Sequence, residues 1–183
     1  QAKALEGVLA DRGDVWRTCE PTEGEIGTLI RAVLRGEVEA TPETVAHLYA
    51  ADRAEHLYRP GSGILSRLEK GETVITDRYL FSSLAYQSVG CGFELVVRLN
   101  GGFPLPRHLF YIDIDPRVGE ERMARRSFRD IYERTPFQEE VRKLYERTLS
   151  YFDGSGVAIH RIDGTLPAET ITAEMVGKLE ELR

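Results

Sequence analysis

The sequence predicts an α/β domain built on a parallel sheet, and three observations lead there. Short β-branched or aromatic runs alternate with longer helical patterns, with no linker or repeat between them. Successive runs are separated by stretches long enough for the crossovers that parallel pairing requires. The 183 residues make one domain with room for a core, and 42% apolar with 30% charged residues is an ordinary globular balance.

The elements follow in order. Residues 1–12 read as a helix with Ala4, Leu5, Val8 and Leu9 on one side, closed by Gly13. Residues 15–18 form a strand, with Trp16 in the core. Residues 24–34 are helical, with Ile26, Leu29, Ile30, Val33 and Leu34 as the apolar stripe. Thr41 caps the next helix and Pro42 opens it. That helix runs to Tyr58, and another over 61–70 stops at Gly71. Residues 73–76 are a buried-type strand, followed by Asp77-Arg78-Tyr79 and a further helical stretch. Residues 108–114, HLFYIDI, are the clearest strand. Asp115 then caps a helix ahead of Pro116 that reaches toward Arg126. A helix covers 133–151, the last strand 157–162, and a closing helix 167–182.

Charge narrows the partners. With 24 basic and 30 acidic residues the net charge is −6, which argues against a nucleic-acid-binding surface. Cys19 and Cys91 fit neither a disulfide framework nor a metal-site spacing and read as ordinary thiols of a reducing compartment. His47, His56, His108 and His160 are scattered and read as surface or packing residues. No apolar run approaches the ~18 residues that span a bilayer, and no signal peptide is visible, so no membrane role and a cytoplasmic location are expected.

Parallel sheets bind ligands beyond the carboxyl ends of their strands. The four such junctions are Glu20-Pro21-Thr22, Asp77-Arg78, Asp113 with Asp115, and Asp163-Gly164-Thr165. All are polar, which points to a site without naming its ligand. At Asp77-Arg78 the guanidinium offers a two-pronged contact for phosphate oxygens, with the carboxylate orienting it or standing near a metal. The two residues can equally pair with each other and cap the following helix.

Residues 76–87, TDRYLFSSLAYQ, closely resemble the thymidylate kinase signature, in which Asp-Arg-Tyr is followed by Ser-Ser-x-Ala-Tyr-Gln. Residues 48–56, LYAADRAEH, are similar to that family's preceding helix, and Glu20-Pro21-Thr22-Glu23-Gly24 to its Glu-Pro loop. The stretch QAKAL at residues 1–5 resembles the helix after the family's Gly-x-x-x-x-Gly-Lys-Ser/Thr loop. The resemblance covers nearly the whole chain, most closely residues 48–87 and least after Arg134.

The resemblance implies a three-layer P-loop kinase fold over residues 1–183: a five-stranded parallel sheet with helices on both faces and a lid at about 122–136. The first strand and the phosphate loop are expected upstream of Gln1. It implies ATP as phosphate donor, dTMP as acceptor, Mg2+ as cofactor and a homodimer. Tyr49 would stack on the thymine ring and Arg53, one turn on, reach the base edge; the four-residue spacing independently puts both on one helix face. Ser83 and Gln87 would bond the base edge, and Tyr86 would lie beside the sugar. Arg78 and Arg31 would grip the dTMP phosphate, with Asp77 and Glu20 flanking it and the magnesium through water. In some members a lid arginine reaches the transferring phosphoryl group, here Arg125 and Arg129, and in others that arginine sits in the phosphate loop; Arg122 and Gly164 would lie on the ATP side, and Arg126 belongs to the same basic cluster. Rival readings are a deoxynucleoside or other monophosphate kinase of this fold, and a non-catalytic nucleotide-binding domain.

Overall fold

The computed structural model describes residues 1–115, 117–119 and 135–181. The described elements are α1 (Ala2–Leu9), β1 (Val15–Cys19), α2 (Glu25–Leu34), α3 (Pro42–Tyr58), α4 (Ile64–Glu69), β2 (Thr73–Asp77), α5 (Leu80–Tyr86), α6 (Ser88–Cys91), α7 (Phe93–Asn100), β3 (His108–Asp113), α8 (Thr135–Tyr151), β4 (Ala158–Asp163) and α9 (Ala168–Glu181). Thr41 caps α3 as expected, its side-chain oxygen accepting from the Thr44 amide. Asp115 accepts from the Arg117 amide at 2.9 Å, as a capping residue does. Between α6 and α7 the chain turns at Gly92, whose φ of 81° is open to glycine at no steric cost.

The strands pair in parallel, β1 with β2 and β3 with β4. The registers Cys19↔Asp77 and Asp113↔Asp163 align their carboxyl ends. The expected five-stranded sheet is corrected here: the described residues hold two two-stranded sheets, and no backbone ladder joins β2 to β3. Side chains hold the two pairs together. In β2, Val74 packs on one apolar cluster and its neighbour Ile75 on the other. In β3, Leu109 joins the first cluster while Phe110 and Ile112 join the second. This alternation is the period of two that a strand buried on both faces requires.

The first cluster comprises Leu57, Ile64, Tyr79, Leu80, Phe81, Leu84, Phe93 and Val96, brought by α3, α4, α5, α7 and the β2–α5 turn. The second comprises Leu5 of α1, Ile162 of β4, and Ile171 and Met175 of α9. Fully burying each such aliphatic or aromatic side chain contributes about 1.5–3 kcal/mol. One stripe is narrower than the periodicity suggests: in α2, Gly27, Ile30, Val33 and Leu34 are buried, but Leu29 is 40% exposed. Trp16 is half-buried, with the Arg67 guanidinium 4.2 Å from its ring centroid.

His108 and His160 meet across the β3–β4 pair, Nδ1 to Nε2 at 3.2 Å, with rings nearly parallel. Both pKa values lie below the ordinary 6.5, chiefly through burial, aided by His160 and Arg107 at His108 and by Lys178 at His160; Glu181 opposes the shift at His160. The unfolded chain therefore binds these protons at higher pH than the folded one, and acid favours unfolding. Urea midpoints should fall as pH drops below 6.5, and the double variant His108→Gln, His160→Gln should flatten that fall.

Candidate active site

The polar junctions meet in pairs at the strand ends. The Glu20 amide donates to the Asp77 carbonyl at 3.1 Å, and the Gly164 amide to the Asp113 carbonyl at 2.7 Å. A Cβ on Gly164 would stand 2.8 Å from that carbonyl oxygen, so only glycine permits the approach.

The loop at residues 20–23 is held from three sides. Asp52 accepts from the Thr22 amide at 2.7 Å and from its hydroxyl at 2.6 Å. Arg31 donates to the Pro21 and Thr22 carbonyls at 3.0 and 2.6 Å and to Thr28 Oγ1 at 3.3 Å. Gly27 lets α2 lie against the loop, because a Cβ there would fall 1.9 Å from the Thr22 oxygen.

Arg53 is 1% exposed and lies at the centre of a polar network. Its Nε and Nη2 donate to Glu20 Oε2 at 2.9 and 2.6 Å, and Nη2 also donates to Ser83 Oγ at 3.0 Å. Its Nη1 donates to Asn100 Oδ1. The guanidinium lies 5.1 Å from the Tyr79 ring centroid and 5.7 Å from that of Phe103. Burial raises the Tyr79 pKa against the pull of Arg53, so its hydroxyl stays protonated and donates to the Pro104 carbonyl at 2.9 Å. Glu20 is only 3% exposed, with Oε2 on Arg53 and Oε1 3.1 Å from His56 Nδ1. Both carboxylate oxygens face protein partners.

Arg78 follows β2 with φ 66°, the left-handed region, and its carbonyl accepts from Thr76 Oγ1 at 2.8 Å. Its guanidinium lies 4.8 Å from the Tyr86 ring centroid. Although the residue as a whole is exposed, protein crowds that group, and this desolvation opposes its charge. The oxygens of Tyr86 and Tyr145, with Asp77, outweigh it and move the pKa upward. Burial in turn pushes the Tyr145 hydroxyl up, against Arg78, and Tyr145 shares a 2.8 Å hydrogen bond with Ser82. The result is a permanent cation framed by the oxygens of two tyrosines, with the exposed Asp77 carboxylate beside it. Such a fork suits an anionic ligand.

Tyr49 is half-buried on α3, one turn before Arg53, and Gln87 is buried at the end of α5, one turn after Ser83. Arg53 and Ser83 thus tie together the two helices that carry the four residues expected around a base. Arg122, Arg125, Arg126 and Arg129 lie outside the described residues, as does most of the expected lid. At the end of β3, Asp113 meets Arg142 at 3.1 Å and Arg161 at 3.2 Å, which accounts for its polarity by ion pairing.

The family model for thymidylate kinase matches residues 1–175. The chain belongs to the thymidylate kinase family. A protein of Treponema pallidum (strain Nichols), provisionally named a thymidylate kinase, is 46% identical over 147 residues, covering 80% of this chain and 70% of that one. One of Aeropyrum pernix, named in the same provisional way, is 38% identical over 151 residues, 82% and 70% of the two chains. A thymidylate kinase of Geobacillus thermodenitrificans (strain NG80-2) is 36% identical over 185 residues, 94% and 79%. Membership makes this chain an ATP-dependent phosphotransferase of the P-loop kinase α/β class.

Of the thymidylate kinase signature, Tyr79 and Ser83 contact Arg53, but three further polar residues near it were not legible as site residues. His56 lies three residues after Arg53 on α3, a spacing that puts the two on one helix face and was the available signal. Asp52 offered only its adjacency. Asn100, on α7, lies 47 residues from Arg53 and no local pattern marks it.

Proposed function

We propose that this chain transfers the γ-phosphate of ATP to dTMP, giving dTDP and ADP, with the acceptor between α3 and α5 and its phosphate at Arg78. The observation that carries this reading is the buried Arg53–Ser83 contact between α3 and α5. Of the five guanidinium N–H groups, those of Nε and Nη2 are engaged by Glu20 and Ser83 and one of Nη1 by Asn100, which leaves one on Nη1 for a base carbonyl. Tyr49 stacks on the base in this reading, and Ser83 and Gln87 bond its edge. Tyr86 lies beside the sugar and underlies Arg78. Arg31 holds the loop carbonyls and reaches the acceptor phosphate, and Gly164 lies on the ATP side.

Phosphoryl transfer asks the protein mainly to align two anionic nucleotides and offset the charge between them. The acceptor oxygen is already largely ionised near neutral pH, so no general base is needed. Magnesium takes oxygen and water ligands, commonly one or two carboxylates with substrate phosphates. In this reading the metal is carried largely by nucleotide and water. Asp77, exposed at the end of β2, suits a water-mediated contact, whereas both Glu20 oxygens are already occupied. Bound there, magnesium would neutralise charge on the transferring phosphates.

The five-stranded form of the fold needs one further parallel strand between β2 and β3. The two apolar clusters that draw on both strands support such a place. A cytoplasmic homodimer belongs to the same reading. No helix among the described residues is long and apolar enough to cross a membrane. The test is ADP release by the full-length protein with ATP and magnesium, comparing dTMP, dUMP, dCMP, dGMP and thymidine. Preference for dTMP is expected. Preference for thymidine would move the chain to the nucleoside kinases, and silence with every acceptor would leave a binding module.

A further inference from the structure

Glu20 grips Arg53 with a single oxygen. Oε2 accepts from both Nε and Nη2, at 2.9 and 2.6 Å, in place of the side-by-side arrangement in which each carboxylate oxygen takes one N–H. Such a contact fixes the position of Oε2 but leaves the carboxylate free to turn about it. The other oxygen must be held by something else, and the partner present is His56. Its Nδ1 lies 3.1 Å from Oε1, its Nε2 2.7 Å from Thr18 Oγ1, and Trp16 meets its ring edge-on at 5.8 Å.

A carboxylate only accepts hydrogen bonds, so His56 Nδ1 carries a proton. In the neutral ring Nε2 is then an acceptor, and the Thr18 hydroxyl donates to it. Glu20 and Arg53 balance each other's charge in a site whose side chains are 2% and 1% exposed. On the far side Asn100 accepts from Arg53, and its own Nδ2 donates to the Val96 carbonyl at 2.8 Å, which sets the amide's orientation. Every bond in this chain is directional, and it runs from β1 through α3 to α7.

We propose that His56 is a positioning residue for the acceptor base: it holds Glu20, Glu20 holds Arg53, and the last N–H of Arg53 is thereby aimed at the nucleotide. This rests on the reading of dTMP as acceptor. His56 touches neither substrate nor phosphate, so its removal should act on acceptor binding and spare the donor side.

The experiment compares full-length wild type with His56→Ala and His56→Asn in steady-state kinetics. It also follows hydrogen exchange at Arg53 Nε by nitrogen NMR without substrate. In His56→Ala the KM for dTMP should rise about tenfold, as expected for losing a hydrogen bond to a buried charged group. The kcat and the KM for ATP should stay within about twofold, and the Arg53 Nε–H should exchange faster. In His56→Asn the amide N–H can occupy the place of Nδ1–H and should restore most of the dTMP KM. Thr18→Val, which removes only a hydroxyl, should give a smaller shift in the same direction and serves if His56→Ala does not fold. A folded His56→Ala with wild-type dTMP KM overturns the proposal, as does unchanged Arg53 exchange. A loss spread equally over kcat and both KM values overturns it too, since that marks general damage to the fold. Wild type that ignores dTMP while His56→Ala still loosens Arg53 would overturn the acceptor reading and leave the clamp standing, so the two failures are distinguishable.

Discussion

Arg78→Ala should lower kcat/KM for dTMP by on the order of 10²-fold or more, equivalent to about 3 kcal/mol of transition-state stabilisation. The guanidinium over Tyr86, beside Asp77, supplies the charged fork at the end of β2. Its backbone lies in the left-handed region at φ 66°, which alanine tolerates no better than arginine, so the loss should be one of activity with little gain or loss in stability. Arg78→Lys retains a point charge without the fork and should recover only part of the rate. Near-normal kcat/KM in Arg78→Ala would remove Arg78 from the phosphate site.

Glu20→Ala should destabilise the fold by roughly 3–5 kcal/mol, because it leaves the Arg53 charge buried without its counter-ion. Removing both charges with well-packed apolar groups is far cheaper, so Glu20→Leu combined with Arg53→Met should recover most of that loss. The recovered protein should still bind dTMP poorly, having lost the base contact proposed for Arg53. Urea midpoints on the two single variants and the double variant make the comparison. A Glu20→Ala protein of normal stability and reduced rate would return Glu20 to the role expected from the family signature, a carboxylate flanking phosphate and metal. The buried geometry favours the structural role.

How far the fold was legible follows from how local its signals are. The Thr41 cap, the Pro42 start and the strand HLFYID are short-range features, and the structure has them within a residue or two. The broken helical region after Arg78, with separate α5, α6 and α7, was harder to divide: Gly92 separates α6 from α7, but apolar residues recur on both sides of it. At the site, the strand-end polar residues and the Tyr49/Arg53 spacing were visible, because parallel pairing and the helical turn dictate them. What was hidden is which polar groups are buried together. His56 read as a packing or surface residue, yet it is buried against Glu20, a partner 36 residues away. Asn100 becomes meaningful only once α7 is folded against α3, a tertiary contact that no sequence period encodes.

The shared burial of Glu20, Arg53, His56 and Asn100 also bears on how acceptor choice can drift over generations or be altered at the bench. Each member satisfies another's hydrogen bonds, so a single replacement is penalised before any gain in a new substrate can be selected. On the acceptor reading proposed above, a lineage that changes its preferred base must alter several of these positions together, or work around them at Tyr49, one turn before Arg53, and Gln87, one turn after Ser83. A library aimed at a new nucleotide would do better to leave the four fixed and vary those two.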